Sequence, residues 1–139
     1  EEANLAMKEN EIPVGAVLVQ NDKLIAQAHN QPITNNDPTA HAEIQVLRKA
    51  GNQQKNYRLV ESTLYVTLEP CTMCLGAIIH ARVKRVVFGA SDPKTGACGS
   101  CIDLNKESFF NHKISITGGI LEKKSSELLS SFFKSLRDK

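Results

Sequence analysis

STLYVTLEPCTMCLGAIIHARVKRVVFGA, residues 62–90, decides the fold. Its first seven residues, STLYVTL, are mostly β-branched or aromatic and read as a strand. Pro70 stops that strand, since proline brings no N–H to a ladder, and CTMCLGAIIHAR (71–82) follows as a helix. KRVVFGA (84–90) is a strand again. A strand, a helix and a strand in so short a stretch predict two parallel strands joined by a crossover helix.

Working outward, VGAVLVQ (14–20) and LIAQAH (24–29) flank the turn residues NDK and predict an antiparallel hairpin. EEANLAMKEN (1–10) reads as a short helix that opens without a cap, as though its first turns were missing. After the loop QPITNNDP, Asp37 as cap and Pro38 as first residue predict a helix over TAHAEIQVLRKAG (39–51), ended by Gly51 and burying Ile44, Val46, Leu47 and Ala50. Downstream, 91–106 is a glycine-containing loop, KISITGG (113–119) a weaker strand, and Leu128, Leu129, Phe132, Phe133 and Leu136 recur at helical spacing. The expected order is α β β α β α β β α, an α/β domain with a mixed sheet flanked by helices.

The 139 residues and 15.3 kDa suit one domain, 1–139, because two would each have too little core. With 41% hydrophobic and 23% charged residues, the composition is that of a globular protein. No apolar run approaches the roughly 20 residues a bilayer requires, and the acidic opening is not a secretory signal, so the expected location is cytoplasmic. Net charge is only +2, yet residues 1–81 carry −3 and residues 82–139 carry +5. That asymmetry suits either a lysine-rich solvated face or an anionic partner for the C-terminal half.

The chemistry sits in His41-Ala42-Glu43 and Pro70-Cys71-Thr72-Met73-Cys74, each opening a helix. Cys71 and Cys74 are spaced i, i+3, so two thiolates share one face at the positive end of a helix, where the metal-binding form is favoured. His41 supplies a third, neutral ligand. Three protein ligands are the mark of a catalytic rather than a closed structural zinc, with water in the fourth position, its pKa near 7 rather than about 16. Glu43, in the same first turn as His41, is placed to take a proton from that water and return it to a leaving amine. Rival readings are a redox CxxC and a four-cysteine zinc module for RNA binding. The latter would pair Cys71 and Cys74 with Cys98 and Cys101 across 23 intervening residues, somewhat longer than the usual loop of about 15–20. Cys98 and Cys101, in a glycine-rich loop, are expected to be free thiols, and His29 and His80 to pack or hydrogen-bond rather than ligate.

HAE followed by PCTMC resembles the signature of the zinc-dependent cytidine/deoxycytidylate deaminase superfamily. PVGAVLV, NDPTAHAE, NYRL, TLYVTLEPCTMCLGAIIHAR, RVVFGASDPKTGACGS, FNH and SSFFKSLR narrow the likeness to the bacterial tRNA adenosine deaminases, from about Pro13 to Arg137. The resemblance implies a three-layer α/β/α cytidine deaminase-like fold on a five-stranded sheet. It also implies a homodimer with one zinc per subunit holding water or hydroxide, and conversion of adenosine to inosine at wobble position 34 of a tRNA anticodon, usually of an arginine tRNA. Carried over residue by residue, His41, Cys71 and Cys74 would hold zinc and Glu43 would shuttle the proton. Asn30 would hydrogen-bond the flipped base, and Ile12, Ala42 and Leu68 would line its pocket. Asp92, Lys94, Asn111, His112, Phe132 and Phe133 fall where the family touches the anticodon loop. Two features depart from it: the short opening helix, and Cys98 with Cys101. The alternative within the enzyme class is a deaminase of a free base or nucleotide such as guanine or cytosine.

Overall fold

In the computed structural model, which describes residues 1–138, strands β1 (Gly15–Gln20) and β2 (Lys23–His29) form the expected hairpin. Asn21 and Asp22 both take positive φ (52° and 61°), the two-residue turn whose twist matches that of the strands. Pairing slips between Leu18 and Val19, where Ile25 is the extra residue of a bulge. β1 also pairs antiparallel with β3 (Ser62–Leu68), and β3, β4 (Arg85–Ala90) and β5 (Ser115–Thr117) run parallel, giving the order β2-β1-β3-β4-β5. The sheet is mixed and five-stranded, as expected. Only three residues of KISITGG are strand.

The core gathers Ala16, Leu18, Leu64, Val66 and Val86 of the sheet with Val46 and Ala50 of α2 (Ala42–Gln54) and Leu75 and Ile78 of α3 (Thr72–His80). Helices α1 (Glu2–Lys8) and α4 (Glu122–Arg137) pack on β1–β2 and β3–β4 respectively. Between them runs an apolar groove of about 390 Å3 lined by Val17, Tyr65, Val87 and Ile120, among others, and by none of the candidate ligands. His29 joins α1 to β2: Nδ1 meets Glu2 Oε1 at 3.1 Å and Nε2 meets Glu9 Oε2 at 2.8 Å. It has the hydrogen-bonding role expected of it. Among the described residues no helix is long and apolar enough to cross a membrane.

The boundaries of α2 differ from expectation. Asp37 does not cap it: Oδ1 accepts Thr39 N (2.9 Å) and Thr39 Oγ1 (2.7 Å) in a local turn. The helix begins three residues later, with His41 as its extended N-cap (φ −70°, ψ 153°). It runs through Gly51 to Gln54 and ends at Lys55, in the left-handed region at φ 54°. Its buried stripe is Ala42, Glu43, Val46 and Ala50, with Ile44 and Leu47 at the margins. A search for apolar spacing misses that stripe because it contains a carboxylate. In α4 only Phe132 is buried, and Phe133 and Leu136 are exposed.

Candidate active site and metal centre

One end of the sheet collects every segment that carries chemistry. β3 and β4 finish there at Leu68 and Ala90, β1 starts there, and β2 ends there at His29, leading into Asn30. Pro70 turns the chain out of β3, so that Cys71 becomes the extended N-cap of α3 (φ −79°, ψ 177°) with Cys74 in the first turn. His41 holds the corresponding position on α2. Two helix N-termini therefore converge, and their partial positive charge favours thiolate.

His41 Nδ1 lies 3.7 Å from Cys71 Sγ and 3.5 Å from Cys74 Sγ. A tetrahedral zinc with bonds of about 2.1 Å to nitrogen and 2.3 Å to sulfur sets that separation at about 3.6 Å. The donor set thus fits zinc in both chemistry and spacing. Among the described residues it is the one group of three His, Cys, Asp or Glu whose ligating atoms all lie within 4.8 Å of one another. Cys98 and Cys101 are free thiols outside it, against the four-cysteine alternative. Burial and the nearby Glu69 and Asp103 push the Cys98 thiol up to about 12.

The electrostatics of the three ligands are coupled. The Cys74 thiol beside Cys71, with His41, holds the Cys71 sulfur at about 4 against the opposing effect of burial. Cys74, as donor to Cys71 and buried, is pushed upward, and the Cys71 thiolate raises His41. Glu43 is only 4% exposed. Burial pushes its carboxyl up to about 7, against the pull of its own backbone N–H. A buried carboxyl pushed toward neutrality, next to a triad that could hold a metal, is suited to acid–base work.

Asn30 is nearly buried, and its Oδ1 accepts Ala42 N at 2.7 Å. It therefore caps α2 from outside the helix and leaves its Nδ2 group for other partners. Ile12 is 40% exposed and Leu68 partly buried, whereas Ala42 is wholly buried and supports the site from beneath. Asp92 and the exposed Lys94 follow β4 at this same end; the Asp92 carboxylate accepts Lys94 N, Thr95 N and Thr95 Oγ1. Asn111 and His112 are elsewhere. They precede β5, and His112 Nε2 donates to Val83 O (2.7 Å) at the far end of the sheet. Phe132 is core, and Phe133, 42% exposed, meets it edge-on with ring centroids 5.5 Å apart.

Two carboxylates escaped sequence reasoning. Glu69, 2% exposed, accepts Asp92 N (3.1 Å), Cys98 N (2.9 Å) and Ser100 N (3.1 Å), as well as Ser100 Oγ. It ties the 91–101 loop to the residue preceding Pro70, and Ala97 N to Pro70 O (2.9 Å) completes the attachment. Gly96 makes this approach feasible, since a side chain there would run into the Glu69 carboxylate. Glu11, also 2% exposed, does the same for the 31–36 loop, accepting Thr34 N and Thr34 Oγ1, each at 2.7 Å. The one available signal was an acid one or two residues before a proline, as in Glu69-Pro70 and Glu11-Ile12-Pro13.

The family model of the MafB19-like deaminases matches residues 1–137. A tRNA-specific adenosine deaminase of Haemophilus influenzae is 54% identical over 92% of this chain and 75% of its own length. That of Bacillus subtilis is 47% identical over 99% of this chain and 86% of its own. A solved structure from studies of A-to-I editing by tRNA:A34 deaminases at the wobble position of transfer RNA superposes with a TM-score of 0.90. It is 44% identical, and the match covers 92% of this chain and 93% of that one. The chain thus belongs to the MafB19-like deaminases and, with these relatives, to the tRNA-specific adenosine deaminase family, hydrolases acting on a C–N bond.

Proposed function

We propose that this protein deaminates adenosine to inosine at position 34, the wobble base of a tRNA anticodon, with an arginine tRNA as substrate, and that it works in the cytoplasm as a homodimer. The observation that carries the reading is His41, Cys71 and Cys74 at the spacing of a three-ligand zinc site, beside the buried Glu43. The names of its relatives supply the substrate class.

His41 Nδ1 and the two sulfurs would hold the ion, one per subunit. Zinc held there supplies a Lewis acid that makes water nucleophilic near neutral pH. Glu43 receives a proton from the attacking water and delivers it to the departing amine as C6 of an extruded adenine becomes tetrahedral and ammonia leaves. Asn30, its Oδ1 fixed by Ala42 N, presents Nδ2 to the base. Ile12 and Leu68 supply apolar contact above the buried Ala42. Asp92 and Lys94 stand beside the entrance for the neighbouring nucleotides, and Asn111, His112 and Phe133 are contacts farther along the RNA.

The test offers the protein an anticodon stem-loop, free adenosine, cytidine and guanine. Inosine in the RNA alone is the expected result. Conversion of guanine or a free nucleoside with the RNA untouched would replace this reading with a small-molecule deaminase.

A further inference from the structure

The end of the sheet remote from His41 holds a recess of about 250 Å3 lined by Arg58, Val60, Glu61, Arg82, Lys84 and His112. Its three cations come from two segments, Arg58 from the approach to β3 and Arg82 with Lys84 from the α3–β4 link, and His112 joins them from the loop into β5. One acid opposes them. Glu61 takes Lys84 Nζ at 3.0 Å in a weak pair whose side chains are both about two-thirds exposed (68% and 66%), and among the described residues Arg58 and Arg82 pair with no carboxylate. Cations gathered in a concave site repel one another unless an anion joins them.

The backbone points the same way. Arg82 closes α3 in the left-handed region (φ 62°), with Arg82 N bonded to Ile79 O (3.0 Å) and Val83 N to Ile78 O (3.4 Å). Glycine is the usual occupant of such a position, because any side chain there costs about 1–2 kcal/mol. Arginine holds it here. Among the described residues only Nη1 is engaged, on Ile79 O at 3.1 Å, which leaves the rest of the fork for an oxyanion. The loop from β4 to β5 links the two ends of the sheet and exposes Lys94, Lys106 and Lys113 along its course, with Phe109 68% exposed.

We propose that this recess binds a backbone phosphate of the RNA substrate, through Arg58, Arg82 and Lys84, while the target base occupies the His41 site. The length of β3, seven residues, separates the two by about 20 Å. That is beyond the reach of a single nucleoside, whereas a stem-loop of several nucleotides spans it. The inference rests on the RNA reading of the active site.

The test measures binding of the anticodon stem-loop to the zinc-loaded protein across a salt series. Wild type is compared with Arg58→Ala/Lys84→Ala, with Arg82→Gly, and with Lys8→Ala/Lys23→Ala, which removes two exposed charges elsewhere. Each phosphate contact adds roughly 0.7–0.9 to the slope of log K against log salt. The recess variants are expected to bind about tenfold more weakly with slopes lowered by about 1–2, and the Lys8/Lys23 control to match wild type. Arg82→Gly relieves the left-handed strain, so a purely structural arginine would change melting and leave the slope alone. Unchanged slopes in the recess variants, or equal losses in the control, overturn the proposal. Failure of the wild type to deaminate the stem-loop in a parallel assay would instead bring down the active-site reading on which it stands.

Discussion

Replacing Glu69 by glutamine tests how the loop beside the metal centre is held. Oε1 accepts Asp92 N and Ser100 Oγ, and Oε2 accepts Cys98 N and Ser100 N. Glutamine keeps one acceptor oxygen. Its best orientation puts the new NH2 group at the Oε1 position, where the Ser100 hydroxyl can rotate to accept from it, but Asp92 N then faces a donor. One backbone N–H is orphaned, and the two remaining bonds lose the assistance of charge. An unsatisfied donor costs about 1–3 kcal/mol, so the total is about 2–3 kcal/mol. At roughly 3–4 °C per kcal/mol for a chain of this size, Glu69→Gln should melt about 6–12 °C below wild type at fixed zinc and pH. Amide exchange should rise most at Asp92, with smaller increases at Cys98 and Ser100. A melting point within about 2 °C of wild type, or an Asp92 amide as protected as before, would refute the argument that this carboxylate holds the loop.

Glu43→Ala should retain stoichiometric zinc, read by metal analysis, while losing turnover by about 100- to 10,000-fold, whereas Cys71→Ala should lose both metal and activity. X-ray absorption at the zinc edge should report two sulfur ligands together with nitrogen, and a four-sulfur shell would refute the assignment of His41. His29 offers a pH test. Burial lowers its pKa, but the hydrogen bonds it donates to the Glu2 and Glu9 carboxylates, with their charges, raise it by more, so the folded value lies above the unfolded one. Its contribution is therefore fully present below about pH 6.5 and is lost as pH rises through the folded value. The stability gap between wild type and His29→Gln should be about 1 kcal/mol at pH 6 and shrink on going alkaline, by denaturant unfolding at each pH. A gap that widens with pH would contradict the ion pairs.

How much of this was legible beforehand depended on the range of the interaction. The element order, the hairpin, the parallel β3–β4 pair and the two chemical motifs are local signals: period-two apolar runs, a strand-ending proline, and cysteines three apart. The start of α2 differs from expectation because Asp37 has two local uses, cap or turn, and the contact with Thr39 decides for the turn; its end differs because the chain reverses at left-handed Lys55 rather than at Gly51. Asp92, Lys94, Asn111 and His112 follow one another in the chain, yet they separate to opposite ends of the sheet because β5 runs parallel to β4, so the loop between them crosses its whole length.

The sequence by itself determined the fold class and the residues able to ligate a metal, because both depend on residue type and on spacings of a few positions. Only the tertiary structure decided that His41 comes within 3.7 Å of Cys71 and 3.5 Å of Cys74, thirty or more residues later. It alone placed Glu11 and Glu69 beneath the loops that frame the site, and Arg58, Arg82 and Lys84 around one recess. Buried carboxylates and converging cations leave no periodic trace in a chain. Their partners are brought to them by the packing of strands and helices.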